Sequence, residues 1–473
     1  MGLLSSCRPK KDINRNEKRT VLILSIIFVA IFSGFIGIQN LQSTLNNEAG
    51  RGVISLSVVY AGFIVSSFFA PSFIRILTAK KCLIIGFISH VAYAASNIYA
   101  VFWTILPAST FVGLTSGLIW TSQGMYISRC AISFSETQNS PMKDSFGKFH
   151  GIFFFGMAFP RLVGNILSSV ILMQGHYNET TANASDSFRI KSCGADLCPE
   201  HTVTDEQFSL PDPLTVKILM TVFVTSSIIG LLLCIFFLPP LPNLLPSSQK
   251  SALRNMISAS CSCLRVNTEA NLILLIPSAL FLSFFESFLW IDISKAYISC
   301  PFGVKYVGFS MALQGLFSGF SSAVLPALAK LISRKYVISL IIVGILASHV
   351  GLFLWEPTSD QLLHMLGFLS LHGILDGGFR TLIFTVVSYM YPKKTDGAFA
   401  SIATWRAIGY TINIILAYYL CVRTRLYMMF SLGALSLVTY VVLEIRLRMK
   451  KKITEIAIDE GSEHSVESRD SGQ

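Results

Sequence analysis

A chain of 473 residues that is 52% hydrophobic and only 13% charged, with a mean hydropathy of +0.60, is too apolar for a soluble globular protein. It belongs in a bilayer. The formal charge of +11 would suit a nucleic-acid-binding protein, but the cations sort by side of the membrane. In the predicted topology 26 of the 37 Lys and Arg residues lie on one side, 8 on the other and 3 within spans, so no nucleic acid is expected as a partner.

Twelve apolar runs, each long enough to cross about 30 Å as a helix, follow one another along the chain. They lie near residues 20–40, 53–77, 82–102, 104–132, 149–174, 215–238, 271–298, 305–330, 336–355, 362–391, 397–421 and 426–446. Helices are required because lipid offers no hydrogen-bond partner to backbone N–H and C=O groups. A β-barrel is not expected, because no run shows the alternation of apolar and polar residues that a barrel strand has. We therefore predict an all-α polytopic membrane protein with twelve transmembrane helices.

These runs divide the chain into two six-helix bundles. The predicted order is a basic tail (1–20), an N-terminal bundle (21–238) with an outer loop (175–213), a linker (239–270), a C-terminal bundle (271–446) and a disordered acidic tail (447–473). The cation excess on one side predicts that both termini are cytoplasmic. Gly2 and Cys7 fit a lipidation pattern, and the alternative is a solvated basic tail.

A sequence repeat supports the division into two halves. The segment SSFFAPSFIRILTAKK, at Ser66–Lys81, returns at Ser321–Tyr336 as SSAVLPALAKLISRKY, with Ser, Pro and cationic positions in one register. Each copy is an apolar segment that ends in a small cluster of cations, as a membrane chain does where it turns at the cytoplasmic surface. Duplicated sets of helices are the architecture of many secondary transporters.

The predicted outer loop has the features of an oxidising exterior. Asn178 and Asn183 each begin a glycosylation sequon, and Cys193 and Cys198 follow in the same loop. We predict a disulfide between Cys193 and Cys198. Two further cysteines at the outer ends of spans either pair with each other or stay free: Cys300 and Cys421.

The plasma membrane is favoured as the location over endosomal membranes, both of which hold glycosylated proteins.

Charged side chains within the spans are the candidate functional residues. Insertion of each into a bilayer costs about 2.5–3.5 kcal/mol of free energy, so each should be paired or should face a water-filled cavity. His372, Asp376 and Arg380 have i, i+4, i+8 spacing in the tenth span, so they share a helical face and Asp376 can neutralise Arg380. They form either a charge-lined pathway or an internal salt bridge. The other intramembrane candidates are Arg161, Arg406, Glu286, Asp292 and Gln123.

Motifs for catalysis are missing from the sequence. It contains no GxxxxGK[ST] phosphate loop, no HExxH metal pair and no GxSxG nucleophile turn. We therefore predict no enzyme, no catalytic residue, no metal and no cofactor. Any transport would be passive or driven by a gradient.

Five of the most distinctive segments of the chain are GIQNLQSTLNNEAGRGVISLSVVY (37–60), GLTSGLIWTSQGMYIS (113–128), SCGADLC (192–198), KAYISCPFGVKYVGF (295–309) and GAFASIATWRAIGY (397–410). Taken in this order, they resemble the uncoordinated-93 family of ion channel regulatory proteins, within the major facilitator superfamily, and the homolog A branch most of all. The resemblance implies a twelve-span major facilitator fold in two pseudo-repeated bundles. It also implies a role as partner of another membrane protein, such as the regulatory subunit of a two-pore-domain potassium channel complex.

Two functions follow as hypotheses. The first is an accessory protein that regulates a potassium channel, or the trafficking of a partner, through its lipid-facing and cytoplasmic surfaces. The second is a gradient-driven transporter of a small organic solute, with Asp376, Arg380, Arg406 and Gln123 lining a central site. Charge pairing discriminates between them, because a transporter loses its best residues if Asp376 and Arg380 only satisfy each other. The chain departs from the family pattern at Arg161, Arg380, Ala403 and Arg406, so no substrate is inferred.

Overall fold

A computed structural model describes residues 17–45, 51–174, 193–199, 213–241, 265–303 and 305–470. Its long helices are α1 Glu17–Leu45, α2 Arg51–Leu77, α3 Ala79–Ser96, α4 Phe102–Gln138, α5 Met142–Gly156, α6 Ala158–Gln174, α7 Pro213–Phe237, α8 Ala270–Phe288, α9 Lys305–Ile332, α10 Arg334–Leu354, α11 Leu362–Met390, α12 Thr395–Tyr419 and α13 Val422–Asp470. A π-helical stretch, Leu289–Ser299, continues α8, and a 3₁₀ turn, Gly194–Asp196, belongs to the predicted outer loop. No strand occurs in these ranges.

Eleven spans of the described chain are long and apolar enough to cross a membrane, with α5 and α6 counted as one span that breaks at Met157. The remaining predicted span is α3, an 18-residue helix whose hydropathy is lowered by Lys80 and Lys81. The protein is therefore an integral, multipass membrane protein, which confirms the all-α prediction.

Both copies of the sequence repeat make the same backbone turn. Helix α2 gives way to α3 at Thr78, and α9 gives way to α10 at Ser333, with φ angles of 79° and 89°. L-residues rarely adopt such angles, so each turn carries a local energetic cost that the surrounding structure must offset. A shared and costly turn at equivalent positions supports two halves built from one repeated unit.

Helix pairs at equivalent positions of the two halves approach closely. Gly117 on α4 faces the backbone of Ser67 on α2, and Gly377 on α11 faces the backbone of Ser318 on α9. In both places a Cβ atom would clash with the neighbouring helix. Glycine therefore lets these helix backbones touch, which is how helices pack where lipid supplies no hydrophobic driving force between them.

The N-terminal bundle, α1–α7, meets the C-terminal bundle, α8–α13, along one seam. Helix α2 packs on α12, while α5 and α6 pack on α9. Aromatic rings fill part of this seam, since Phe384 of α11 lies 5.2 Å from Phe154 of α5 and 5.8 Å from Phe399 of α12, measured between ring centroids. The seam brings the intramembrane charges of the two halves together.

The predicted pairing of Cys193 with Cys198 is wrong. Cys193 is bonded to Cys300, which follows the π-helical stretch, and Cys198 is bonded to Cys421, which precedes α13. Both partners lie in the C-terminal bundle, whereas Cys193 and Cys198 belong to the segment between α6 and α7 of the N-terminal bundle. Two disulfides therefore fasten that segment to the other half of the protein.

Contacts of the 3₁₀ turn explain this pairing. The N–H of Val422 donates to the carbonyl of Leu197 at 3.0 Å, and Arg423 forms an ion pair with Asp196 at 2.7 Å. These contacts hold the turn across the ends of the C-terminal helices. Each cysteine then faces a different helix end and not its neighbour in the loop.

The predicted disorder of 447–473 is also wrong for most of that segment, because α13 continues to Asp470. The polar composition suggested disorder, but a segment that extends an existing helix needs no new nucleus. The candidate lipidation residues, Gly2 and Cys7, and the candidate glycosylation residues, Asn178 and Asn183, lie outside the described residues.

Candidate functional site

Five charged side chains meet at the seam between the bundles, and we call them the central cluster: Arg161, Glu286, Asp376, Arg380 and Arg406. Arg161 comes from α6, Glu286 from α8, Arg406 from α12, and both Asp376 and Arg380 come from α11. Glu286, Asp376 and Arg380 are buried. Arg161 and Arg406 are half-buried, with side chains that are 13% and 11% accessible. Buried charges at such a depth must be paired, because desolvation otherwise makes them very costly.

Asp376 is the carboxylate that joins the two halves. Arg161 donates to it at 2.8 Å from the N-terminal bundle. From α9 it receives hydrogen bonds of 2.9 Å from Ser318 and 3.2 Å from Gln314. Arg380, one turn further along α11, contacts the same carboxylate. Asp376 therefore forms ion pairs with two guanidinium groups, one from each half.

Glu286 organises the other end of the central cluster. Its two oxygens accept from the Nε of Arg380 and the Nη2 of Arg406, each at 2.6 Å. The Tyr410 hydroxyl, one turn beyond Arg406 on α12, also donates to Glu286. Because Arg380 contacts both Asp376 and Glu286, the charges form one alternating chain from Arg161 to Arg406.

The central cluster has a net charge of +1, since three guanidinium groups face two carboxylates. Guanidinium does not lose its proton under physiological conditions, so this excess stays. Two rings offset part of its cost through their negative faces. The guanidinium carbon of Arg406 lies 5.4 Å from the Phe384 ring centre, and that of Arg380 lies 5.8 Å from the Phe154 ring centre.

The structure confirms the predicted pairing of Asp376 with Arg380 and supplies Glu286 as the partner of Arg406. It separates two other candidates from the cluster. Asp292 lies in the π-helical stretch and pairs with Arg425 of α13. Gln123 is buried on α4, and its amide makes no hydrogen bond within the described residues.

His372 shares the helix with Asp376 but joins a different group. Its ring stacks on Phe285 of α8 at 4.2 Å, with an angle of 22° between the planes, and lies beside Phe368 and His349. Neither ring nitrogen has a hydrogen-bond partner in the described part of the chain. His372 therefore acts as a packing residue in an aromatic group and not as a member of the charge chain.

Three residues of the site were not predicted from the sequence: Gln314, Ser318 and Tyr410. Gln314 and Ser318 are four residues apart on α9, and Tyr410 follows Arg406 by four residues on α12. A search for polar pairs at this spacing would have found them, because i and i+4 share a helical face.

Within the described residues no three His, Cys, Asp or Glu side chains lie together as metal ligands would.

Two further ion pairs join the bundles at the end where the repeat turns lie, and we call them the paired clamps. Arg75 of α2 contacts Asp396 in the first turn of α12 at 2.7 Å, and Lys330 of α9 contacts Asp144 in the first turn of α5 at 3.1 Å. Arg75 and Lys330 occupy the same position of the repeat. Each carboxylate also lies at a helix N-terminus, where the helix dipole favours negative charge.

We expect the two paired clamps to differ in strength. A double-mutant cycle with Arg75→Ala and Asp396→Ala should give a coupling free energy of about 1 kcal/mol, because Asp396 is buried. The matching cycle with Lys330→Ala and Asp144→Ala should give almost none, since the Lys330 side chain is 64% exposed and screened by solvent. Thermal unfolding of the purified protein measures both, and a stronger Lys330 coupling would contradict this ranking.

An all-helical chain of two related bundles with buried charges along their seam has the major facilitator fold. The outward conformation of the major facilitator superfamily transporter FucP, the Escherichia coli fucose:proton symporter, has a similar structure. The TM-score is 0.62 at 13% identity, over 90% of this chain and 98% of FucP. This likeness establishes the fold.

The chain belongs to the UNC-93 family. The sequence model of that family, described as "Ion channel regulatory protein UNC-93", matches residues 43–441. Human protein unc-93 homolog A is 28% identical over 430 residues, which cover 90% of this chain and 93% of that protein. A Caenorhabditis elegans protein named as a potassium channel regulatory protein, unc-93, is 25% identical over 91% of this chain and 61% of its own length.

Proposed function

We propose that this chain is a membrane accessory protein that regulates a potassium channel complex or the trafficking of such a partner, without chemistry of its own. The family description and the name of the worm relative support an ion channel as the partner. The observation that carries the proposal is the internal pairing of the central cluster. Both of its carboxylates, Asp376 and Glu286, are fully engaged by side chains of the same protein.

This pairing suits a scaffold better than a carrier. A carrier needs charged groups that a solute or proton can reach and that are released when the halves rearrange. Asp376 receives four donors and is 1% accessible. Arg161 ties Asp376 to the opposite bundle, so the cluster holds the halves together and presents a fixed outer surface to a partner.

The proposal includes a topology. Both termini lie in the cytoplasm, the bundles at 21–238 and 271–446 flank a cytoplasmic linker at 239–270, and the loop at 175–213 is outside. Asn178 and Asn183 are then positioned for glycosylation, and Gly2 and Cys7 for lipidation. The distribution of the cations supports this orientation. The plasma membrane, where such channels act, is favoured over endosomal membranes.

A second candidate function, gradient-driven transport of a small organic solute, is favoured by one observation. The central cluster has an excess charge of +1, and the buried Nε of Arg406 and amide of Gln123 have no hydrogen-bond partner within the described residues. A solute with an acceptor oxygen would satisfy the Arg406 N–H, and the Gln123 amide needs one acceptor and one donor. This candidate requires the halves to separate at Arg161 and Asp376.

The experiment for the accessory role records whole-cell potassium current from a two-pore-domain potassium channel, expressed with and without this chain. We expect the potassium current to change on co-expression, because either the current carried by each surface channel or the number of surface channels changes. We also expect the chain to co-purify with the channel. Surface biotinylation separates the two routes. Unchanged current, unchanged channel number and no co-purification would contradict the proposal.

A further inference from the structure

A groove lies between α10 and α13 at the same end of the molecule as the paired clamps. Its lining includes Lys335 and Tyr336 at the start of α10. From α13 come Tyr440, Val441, Glu444 and Arg448. The groove is open to the outside of the bundle, since the side chains of Tyr336 and Val441 are both exposed. In the proposed topology it opens at the level where the cytoplasmic leaflet has its headgroups.

The charges of the groove do not balance. Its carboxylate, Glu444, is already neutralised by Arg334 at 2.9 Å and accepts a hydrogen bond from Tyr440 at 2.6 Å. That pair is nearly buried and forms a neutral floor. Two more cations, Lys335 and Arg448, line the groove, and no second carboxylate does. The groove therefore presents about two positive charges to whatever enters it.

An apolar strip continues from the groove along the outer face of both helices. Leu340 and Val343 on α10 are exposed, as are Val438, Val441 and Ile445 on α13. These side chains lie on the bilayer side of Lys335 and Arg448. A ligand that matches the whole surface has a negative head and an apolar tail.

The sequence adds charge at the same level. Besides Arg448 of the groove itself, the segment RLRMKKK at 446–452 of α13 contains four further cations, Arg446, Lys450, Lys451 and Lys452. Runs of this kind beside a membrane helix attract anionic lipid, with each cation contributing about 1 kcal/mol near the surface. Topology alone accounts for such a run, but it does not account for a groove with a neutralised carboxylate at its base.

We infer that this groove binds an anionic phospholipid of the cytoplasmic leaflet, with the headgroup phosphate between Lys335 and Arg448 and an acyl chain along the apolar strip. Lys and Arg are suitable ligands for phosphate oxygens, and the Tyr336 ring supports the Lys335 ammonium at 4.0 Å. This inference uses the proposed orientation but does not depend on a channel partner.

The test is lipid binding to the purified full-length protein in detergent, followed by native mass spectrometry. The probes are dioctanoyl phosphatidylinositol 4,5-bisphosphate, dioctanoyl phosphatidylserine and dioctanoyl phosphatidylcholine. The variant Lys335→Ala/Arg448→Ala should weaken binding of the bisphosphate lipid by about 25-fold, roughly 5-fold for each cation. The matched control Lys81→Ala/Lys393→Ala removes two exposed cations from the same side of the protein, outside the groove, and should leave binding unchanged.

Three results would overturn the inference. Equal losses in both double variants would show that binding follows total surface charge. Equal affinity of the wild-type protein for phosphatidylcholine would show that the headgroup charge is not recognised. Inositol trisphosphate or inorganic phosphate that binds as tightly as the lipid would assign the groove to a free phosphate. Circular dichroism of each variant verifies that it is folded, and Lys335→Arg should retain binding.

Discussion

Replacement of Asp376 by alanine is expected to destabilise the folded protein by about 3–5 kcal/mol, because it leaves buried guanidinium groups without their carboxylate. Arg161 loses its ion-pair partner, and Arg380 keeps only Glu286. The hydrogen bonds from Gln314 and Ser318 are also lost. Thermal or denaturant unfolding of the detergent-purified protein measures the effect.

Charge-matched variants test whether the loss comes from unpaired charge. The double variant Arg161→Gln/Asp376→Asn keeps the net charge of the central cluster at +1, so it should be clearly more stable than Asp376→Asn alone. Asp360→Ala removes a carboxylate from an exposed position between α10 and α11 and should leave unfolding unchanged. If Asp376→Ala unfolds no more easily than Asp360→Ala, the central cluster does not stabilise the fold.

Replacement of Cys300 by serine is expected to cost about 2–5 kcal/mol, the usual loss when a native disulfide is removed. It should also leave Cys193 as a thiol that reacts with a maleimide once the protein is denatured without reductant, because Cys193 is buried in the fold, while Cys198 stays protected by Cys421. Unfolding in non-reducing buffer measures the stability. Mass spectrometry of non-reduced peptides reads the connectivity.

The same peptides decide between the two disulfide patterns. The structure predicts linked peptides that join Cys193 to Cys300 and Cys198 to Cys421 in the wild-type protein. Cys234→Ser is the control, because this buried cysteine forms no disulfide and its replacement should leave both linked peptides in place. A peptide with Cys193 bonded to Cys198 would contradict the docking of the 3₁₀ turn, Gly194–Asp196, on the C-terminal bundle.

Sequence reasoning succeeded where the physics is local. A run of about 20 apolar residues is enough to predict a span, and the spacing of Asp376 and Arg380 is enough to predict their pairing. The repeat at Ser66 and Ser321 also indicated two halves before any contact was known. The spans and the Asp376–Arg380 pair depend on residues within a few helical turns of each other, and the repeat is visible from the sequence alone.

It failed where partners are distant along the chain. Arg161 and Asp376 are 215 residues apart, and Cys198 and Cys421 are 223 residues apart. Sequence proximity favoured Cys193 as the partner of Cys198, but the docking of the loop on another helix end decided the pairing. His372 was assigned to the charge group by helical spacing alone, whereas the packing of α8 places it on Phe285.

The central claim is that the buried charges hold the halves together and do not carry a solute. Its most direct test records potassium current and solute flux side by side in cells with and without the channel, with wild-type protein and with Arg161→Gln/Asp376→Asn at matched surface level. The account predicts that the variant still changes the current and that neither protein produces a flux. A flux that appears with the wild type in the absence of the channel and vanishes in the variant would contradict the account and establish a carrier.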